Sequence, residues 1–135
     1  QVRENLTRLL LLIGDGRPQM LMENAEKYRR YNERTKQMLT FIKRHFGEEL
    51  SVRDIADSAS ISESECLRCF RKILDTSPIA YLKTYRLQRA AELLETTSRK
   101  VSDIAAQCGF GEMSYFAKSF REIYRCTPSQ YRSRT

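Results

Sequence analysis

Val52-Arg53-Asp54-Ile55-Ala56 returns 49 residues later as Val101-Ser102-Asp103-Ile104-Ala105, and Phe70-Arg71-Lys72-Ile73 returns 50 residues later as Phe120-Arg121-Glu122-Ile123. Pro78 and Tyr81 return as Pro128 and Tyr131 at the second offset. One extra residue therefore enters the second copy between Ile104 and Phe120, near its turn. Each copy places apolar residues at helical spacing on both sides of a short break, so each reads as helix, turn, helix. Two units are too few for a solenoid, which needs three or more to bury a continuous core. They suit a tandem pair of helix-turn-helix modules, and the expected fold class is all-α.

Working outward, Ser51 with Asp54 and Ser62 with Glu65 have the spacing of capping pairs, in which a hydroxyl and an acid satisfy free backbone N–H groups. They open a short helix over 52–58 and, after a turn at Ala59 to Ile61, a second helix reaching about Leu74. Ser77-Pro78 opens a long helix to about Leu94, the Ser as cap and the Pro in the first turn, where its missing donor costs little. The second copy repeats the plan with helix 101–107, a turn at Cys108-Gly109-Phe110, helix 112–124, and Thr127-Pro128 before a terminal helix through Tyr131. Upstream, Met38, Leu39, Ile42 and Phe46 form one apolar stripe, stopped by Gly47. About seven helices result: a first unit over 34–77, a linker helix over 78–95 and a second unit over 96–135.

Residues 1–33 read differently. Val2, Leu6, Leu9, Leu10 and Ile13 share one helical face, ended by Gly14-Asp15-Gly16 and Pro18. That face either folds back on the rest of the chain or is the stub of an upstream domain or a dimer contact. Residues 19–33 are mostly polar and read as a partly helical linker, with the domain boundary near Glu33. The chain opens on Gln1 rather than Met, so a fragment of something longer is expected.

The net charge of +7 and pI near 9.4 favour a polyanionic partner. The basicity is uneven, with seven Lys/Arg against three Asp/Glu over 99–135 but four against five over 51–75. No apolar run approaches the roughly 18 residues of a membrane span, the longest being Leu9 to Ile13. Cys66, Cys69, Cys108 and Cys126 accompany no secretory signal, so reduced thiols in a cytoplasmic protein are expected.

A helix-turn-helix must present the N-terminal part of its second helix to the major groove, and the residues that set the interhelical angle are the fixed ones. Ile55, Ala56, Ile104 and Ala105 suit that packing, and Gly109 suits a turn position costly for other residues. The groove-facing residues are those that break the repeat. Ser64, Leu67 and Arg68 in the first copy, and Met113, Ser114, Ala117 and Lys118 in the second, are the expected base readers. Arg71, Lys72, Lys83, Arg86, Ser102 and Arg121 are assigned to phosphates. Successive major-groove segments on one face lie about 34 Å apart, a separation that a linker helix of about 25 Å, with modules at its ends, could set.

The run Arg86-Leu87-Gln88-Arg89-Ala90-Ala91-Glu92-Leu93-Leu94, followed by Val101-Ser102-Asp103-Ile104-Ala105, Cys108-Gly109-Phe110, Ser114-Tyr115-Phe116, Phe120-Arg121 and Pro128-Ser129-Gln130-Tyr131-Arg132, resembles the AraC/XylS family of bacterial transcription regulators. The resemblance covers roughly residues 37–133. It implies a DNA-binding domain of about seven helices with two helix-turn-helix units, usually preceded by a ligand-sensing and dimerising domain whose end would be residues 1–33. It further implies double-stranded operator DNA and RNA polymerase as partners, a homodimer where the upstream domain supplies one, and regulation of transcription, by activation or repression, in the bacterial cytoplasm, on the nucleoid. The first copy departs from the family pattern: Glu63 and Glu65 open its reading helix, and Cys66 and Cys69 stand where larger apolar residues are common.

Other chemistries find little support. Cys66-x-x-Cys69 would be half of a zinc site, but no second pair or His lies at ligand spacing, so structural thiols and no metal are expected. The lone His45, near a helix end, suits the helix dipole. No nucleophilic triad, phosphate-cradling loop or carboxylate pair can be assembled, so neither an enzyme nor a cofactor is expected. Tyr81 and Tyr131 read as packing residues. A helical protein-interaction module without DNA binding is the alternative; a DNA-repair or methyl-transfer protein would need a reactive cysteine in a Pro-Cys-His setting, which is missing.

Overall fold

The computed structural model describes residues 18–134, and among these residues every regular element is an α-helix. The helices are α1 (Pro18–His45), α2 (Val52–Asp57), α3 (Glu63–Leu74), α4 (Pro78–Thr96), α5 (Val101–Gln107), α6 (Met113–Tyr124) and α7 (Pro128–Arg134). The apolar face expected over residues 2–13 lies outside the described residues.

The boundary expected near Glu33 falls inside α1, which runs unbroken from Pro18 to His45. Neither Gly nor Pro interrupts residues 19–46, and Tyr31, Thr35, Met38 and Ile42 recur at helical spacing on one buried face. Thr35 hides its hydroxyl by donating to the Tyr31 carbonyl at 2.7 Å. That face seats against α2 and α3, burying Ile55, Ala56, Cys66, Cys69 and Phe70 in the first core.

Linker helix α4 serves two cores with its two halves. Leu82 enters the first core, while Leu87, Ala90, Ala91 and Leu94 join Ile104, Ala105, Cys108, Phe110, Phe116 and Phe120 in the second. At about 1.5 Å per residue its 19 residues span roughly 28 Å. The carboxy-terminal helix α7 docks on the far end of α4: Tyr131 donates to Glu95 at 2.6 Å, and Arg132 donates to the carbonyls of Leu94 and Thr97 at 3.2 Å each. Tyr81 and Tyr131 pack edgewise on Phe70 and Phe120 at 6.0 and 5.4 Å, as packing residues should.

The repeat is physical down to the backbone. In the first turn the Ile61 N–H donates to the Ala56 carbonyl at 3.2 Å, and in the second the Phe110 N–H donates to the Ala105 carbonyl at 2.9 Å. The residue between is left-handed in both, Ser60 at φ 57° and Gly109 at φ 89°. The extra residue of the second copy is Gly111, just after this turn. Both reading helices end on a left-handed cap, Asp75 at φ 54° and Arg125 at φ 63°.

Capping distinguishes the copies. Ser51 and Asp54 form a full capping box, and the Ser62 hydroxyl accepts from the Glu65 N–H. The Glu65 carboxylate, however, does not return to Ser62; it accepts from Arg34 at 3.0 Å and from Arg68 at 2.6 Å. In the second copy, α5 and α6 start at Lys100 and Glu112 with no side-chain cap.

Cys66 and Cys69 sit fully inside the first core, and Cys108 inside the second. Burial pushes the Cys66 thiol up to about 11, helped by the nearby Cys69 and Glu63, and pushes Cys108 to about 11 as well. The Cys69 thiol is raised too, first by burial and then by Glu65. At pH 8 a thiol near 11 is ionised on the order of one part in a thousand, and the thiolate is the reactive form. Alkylation followed by peptide mass spectrometry should therefore find Cys66, Cys69 and Cys108 protected in native protein and labelled in denaturant; native labelling of Cys66 at the denatured rate would contradict the packing described.

Candidate nucleic-acid interface

α3 and α6 are strongly amphipathic: Cys66, Cys69 and Phe70 face inward on one, Phe116, Ser119 and Phe120 on the other. The opposite faces are open grooves lined by equivalent residues. Ser64, Leu67, Arg68, Arg71, Lys72, Thr76 and Ser77 line the first; Ser114, Ala117, Lys118, Arg121, Glu122, Arg125 and Thr127 line the second. Ser64 matches Ser114, Leu67 matches Ala117, Arg68 matches Lys118 and Arg71 matches Arg121, each 50 residues on. The folded chain thus brings six of the seven expected base readers onto two such grooves. Met113, the seventh, is exposed in the first turn of α6.

The expected phosphate contacts divide. Arg71, Lys72 and Arg121 are exposed on the two grooves, and Ser102 is exposed in the first turn of α5. Lys83 is instead engaged within the molecule, with its ammonium 5.3 Å from the Tyr115 ring centroid and 3.9 Å from Glu122. Arg86 turns inward as well. Its Nε donates to the Phe46 carbonyl and its Nη2 to the Glu48 carbonyl, both at 2.7 Å. Two donors held on backbone oxygens make Arg86 an internal brace rather than a phosphate ligand. Burial lowers its pKa, and the proximity of Cys108 and Tyr115 acts against that fall.

Several interface residues escape a reading based on unlike repeat positions. Arg125 and Thr127 line the second groove through the helix cap and the start of α7, and Thr76 and Ser77 do so in the first. The repeat itself would have found them, because Asp75 matches Arg125 and Ser77 matches Thr127. It also exposes charge reversals: Lys72 stands opposite Glu122, and Asp75 opposite Arg125. Over Arg68, Arg71, Lys72 and Asp75, and over their counterparts Lys118, Arg121, Glu122 and Arg125, each face carries three cations and one acid, so the asymmetry of the copies lies in the first turn of the reading helix. There Glu63 and Glu65 stand where the second copy has Met113 and Tyr115. Both acids are answered, Glu63 by Arg53 at 3.5 Å and Glu65 by Arg34 and Arg68.

Comparison with known proteins agrees with this architecture. A family model described as a helix-turn-helix domain matches residues 55–134. An uncharacterised HTH-type transcriptional regulator of Bacillus subtilis, YdeC, is 36% identical over 101 residues, which is 75% of this chain and 35% of that protein. The HTH-type transcriptional activator RhaS of Citrobacter koseri is 34% identical over 125 residues, 93% of this chain and 43% of that protein. The chain therefore spans about two-fifths or less of the length of these relatives. Among solved structures, an AraC-type DNA-binding domain protein from Chromobacterium violaceum superposes with a TM-score of 0.72 at 29% identity, covering 76% of this chain and 91% of that one. The DNA-binding domain of AdpA, solved in complex with a target DNA, gives 0.69 at 28% identity over 73% of this chain and 88% of its own. With its duplicated turn and paired reading helices in this company, the chain belongs to the AraC/XylS family of helix-turn-helix proteins.

Proposed function

We propose that this chain binds double-stranded DNA sequence-specifically, α3 and α6 entering successive major-groove segments, and that it regulates bacterial transcription. The observation that carries the reading is the pair of equivalent exposed basic grooves, one on each reading helix and each free of core-forming residues. Ser64, Leu67, Arg68, Met113, Ser114, Ala117 and Lys118 read bases; Arg71, Lys72, Ser102 and Arg121 hold phosphates. The relatives named as activators support a role in which the bound domain recruits RNA polymerase, with homodimerisation through an upstream domain and with the bacterial nucleoid as the place of action. No described helix is long and apolar enough to cross a membrane.

A footprint should cover two groove segments on one face of the duplex, about 10 bp centre to centre. Protection of a single segment at saturating protein would defeat tandem docking. Phosphate contacts should appear as counterion release: Lys72→Ala and Arg121→Ala should each flatten the slope of log affinity against log salt by about one unit. Lys83→Ala should move it less, since its ammonium is already held by Tyr115 and Glu122. A salt-independent partner and no DNA retention would favour the protein-interaction module instead.

A further inference from the structure

The two modules meet through backbone. The loop after α1 carries Phe46, whose side chain packs against both cores, with its ring edge-on to Tyr85 at 5.3 Å. A Cβ placed on Gly47 would lie 2.6 Å from the Gln107 carbonyl oxygen, at the end of α5. A Cβ on Gly109, in the second turn, would lie 2.8 Å from the Phe46 carbonyl oxygen and 2.7 Å from Arg86 Nε. The first module's loop and the second module's turn therefore touch with no side chain between them. Arg86, projecting from α4, closes this seam by donating to the Phe46 and Glu48 carbonyls. The carbonyls follow the C-terminal end of α1, where the helix dipole favours a cation, and the planar guanidinium can serve two of them at fixed geometry as an ammonium cannot.

We infer that Arg86 is a positioning residue that locks the two reading helices at one separation and one angle, so that the protein selects its sites by the spacing of the half-sites as well as by their bases. This rests on the tandem docking proposed above. A seam of backbone contacts cannot absorb a relative rotation by changing rotamers, so the modules move as one body. On B-DNA two inserted base pairs shift the second groove segment by about 7 Å along the axis and turn it by about 70°. A locked pair of helices cannot follow that displacement, whereas an unlocked pair can adjust.

The test measures affinity for operators carrying zero, one or two extra base pairs between half-sites. The native chain should lose about tenfold or more at two extra pairs, the equivalent of at least one base contact. Arg86→Gln and Arg86→Lys should bind the native spacing more weakly but show a spacing penalty within about threefold. Variants with unchanged helical circular dichroism and a penalty equal to that of the native chain would overturn the assignment. In case neither variant folds, spin labels at Leu67→Cys and Ala117→Cys with Arg86 intact give an independent reading: a single narrow distance distribution without DNA is expected, and a broad one overturns the lock. Scrambling either half-site separates the two levels. If it leaves native binding unchanged, tandem docking itself falls; if both halves matter and the penalties stay equal, only the role of Arg86 falls.

Discussion

Phe120→Ala should cost about 3–5 kcal/mol of stability, the range for deleting a large aromatic side chain from a core that cannot collapse around the loss. Phe120 is fully buried and lies at the centre of an aromatic cluster, with ring centroids 5.8 Å from Phe116, 4.5 Å from Tyr124 and 5.4 Å from Tyr131. Phe116 and Tyr124 are fixed on the same helix, α6, and Tyr131 comes from α7, where Glu95 holds it further. They have little room to move into a cavity. Against a total stability of about 5–15 kcal/mol for a typical domain, the loss should lower the denaturant midpoint sharply. The equivalent Phe70→Ala in the first module leaves a cavity beside Cys66, Cys69 and Tyr81, where the small, polarisable thiols give the core more freedom to close. Its cost should fall at the lower end of the same range. Denaturant titrations of both variants measure the order directly, and a Phe120→Ala loss below about 1 kcal/mol would mean that the aromatic cluster is not the keystone described.

The contrast between these two cores was legible in the sequence because repeat positions can be compared one by one. Phe116 and Ser119 in the second copy stand where Cys66 and Cys69 stand in the first, and all four are buried. Helix ends, caps and the two turns followed from the same comparison, since they depend on residues within one or two turns of each other. Ser60 shows a limit of that reading: it takes the same left-handed conformation as Gly109, but a serine does not announce it. Contacts between distant segments were less accessible. Arg86 and Lys83 are basic residues on an amphipathic helix, which is also what a phosphate ligand looks like. Only the arrival of the loop after α1 beside Arg86, 40 positions away in sequence, and of Tyr115 and Glu122 beside Lys83, reassigns them. Similarly, the polar composition of residues 19–33 suggests a linker, while the structure runs them as one helix into the first module, with Leu21 and Tyr31 buried among mostly exposed neighbours.

Arg68→Ala and Lys118→Ala should each lose about 1–3 kcal/mol of discrimination, about tenfold to a hundredfold, in different halves of the operator. Arg68 and Lys118 occupy equivalent points on the two grooves but are presented differently. Glu65 receives Arg34 on one oxygen and Arg68 on the other, so the carboxylate is braced from α1 and in turn holds one nitrogen of Arg68. An arginine has five donors in a fixed fork, and those that remain are kept directed by the pairing rather than free to sample other rotamers. Lys118, by contrast, forms no such ion pair on its groove among the described residues and acts as a point charge on a flexible stem. The first half-site should consequently be the more sharply read, despite the two acids at the start of α3. Glu65→Gln should weaken discrimination in the first half by less than Arg68→Ala does, because it loosens the reader without removing it. Glu63→Gln should tighten binding overall with little change in preference, and only modestly, since Arg53 already offsets the charge. Titrations against operators scrambled in one half at a time decide the matter: the assignment fails if Arg68→Ala and Lys118→Ala lose their sensitivity to the same half, because two readers on separate grooves cannot both be reporting one segment of DNA.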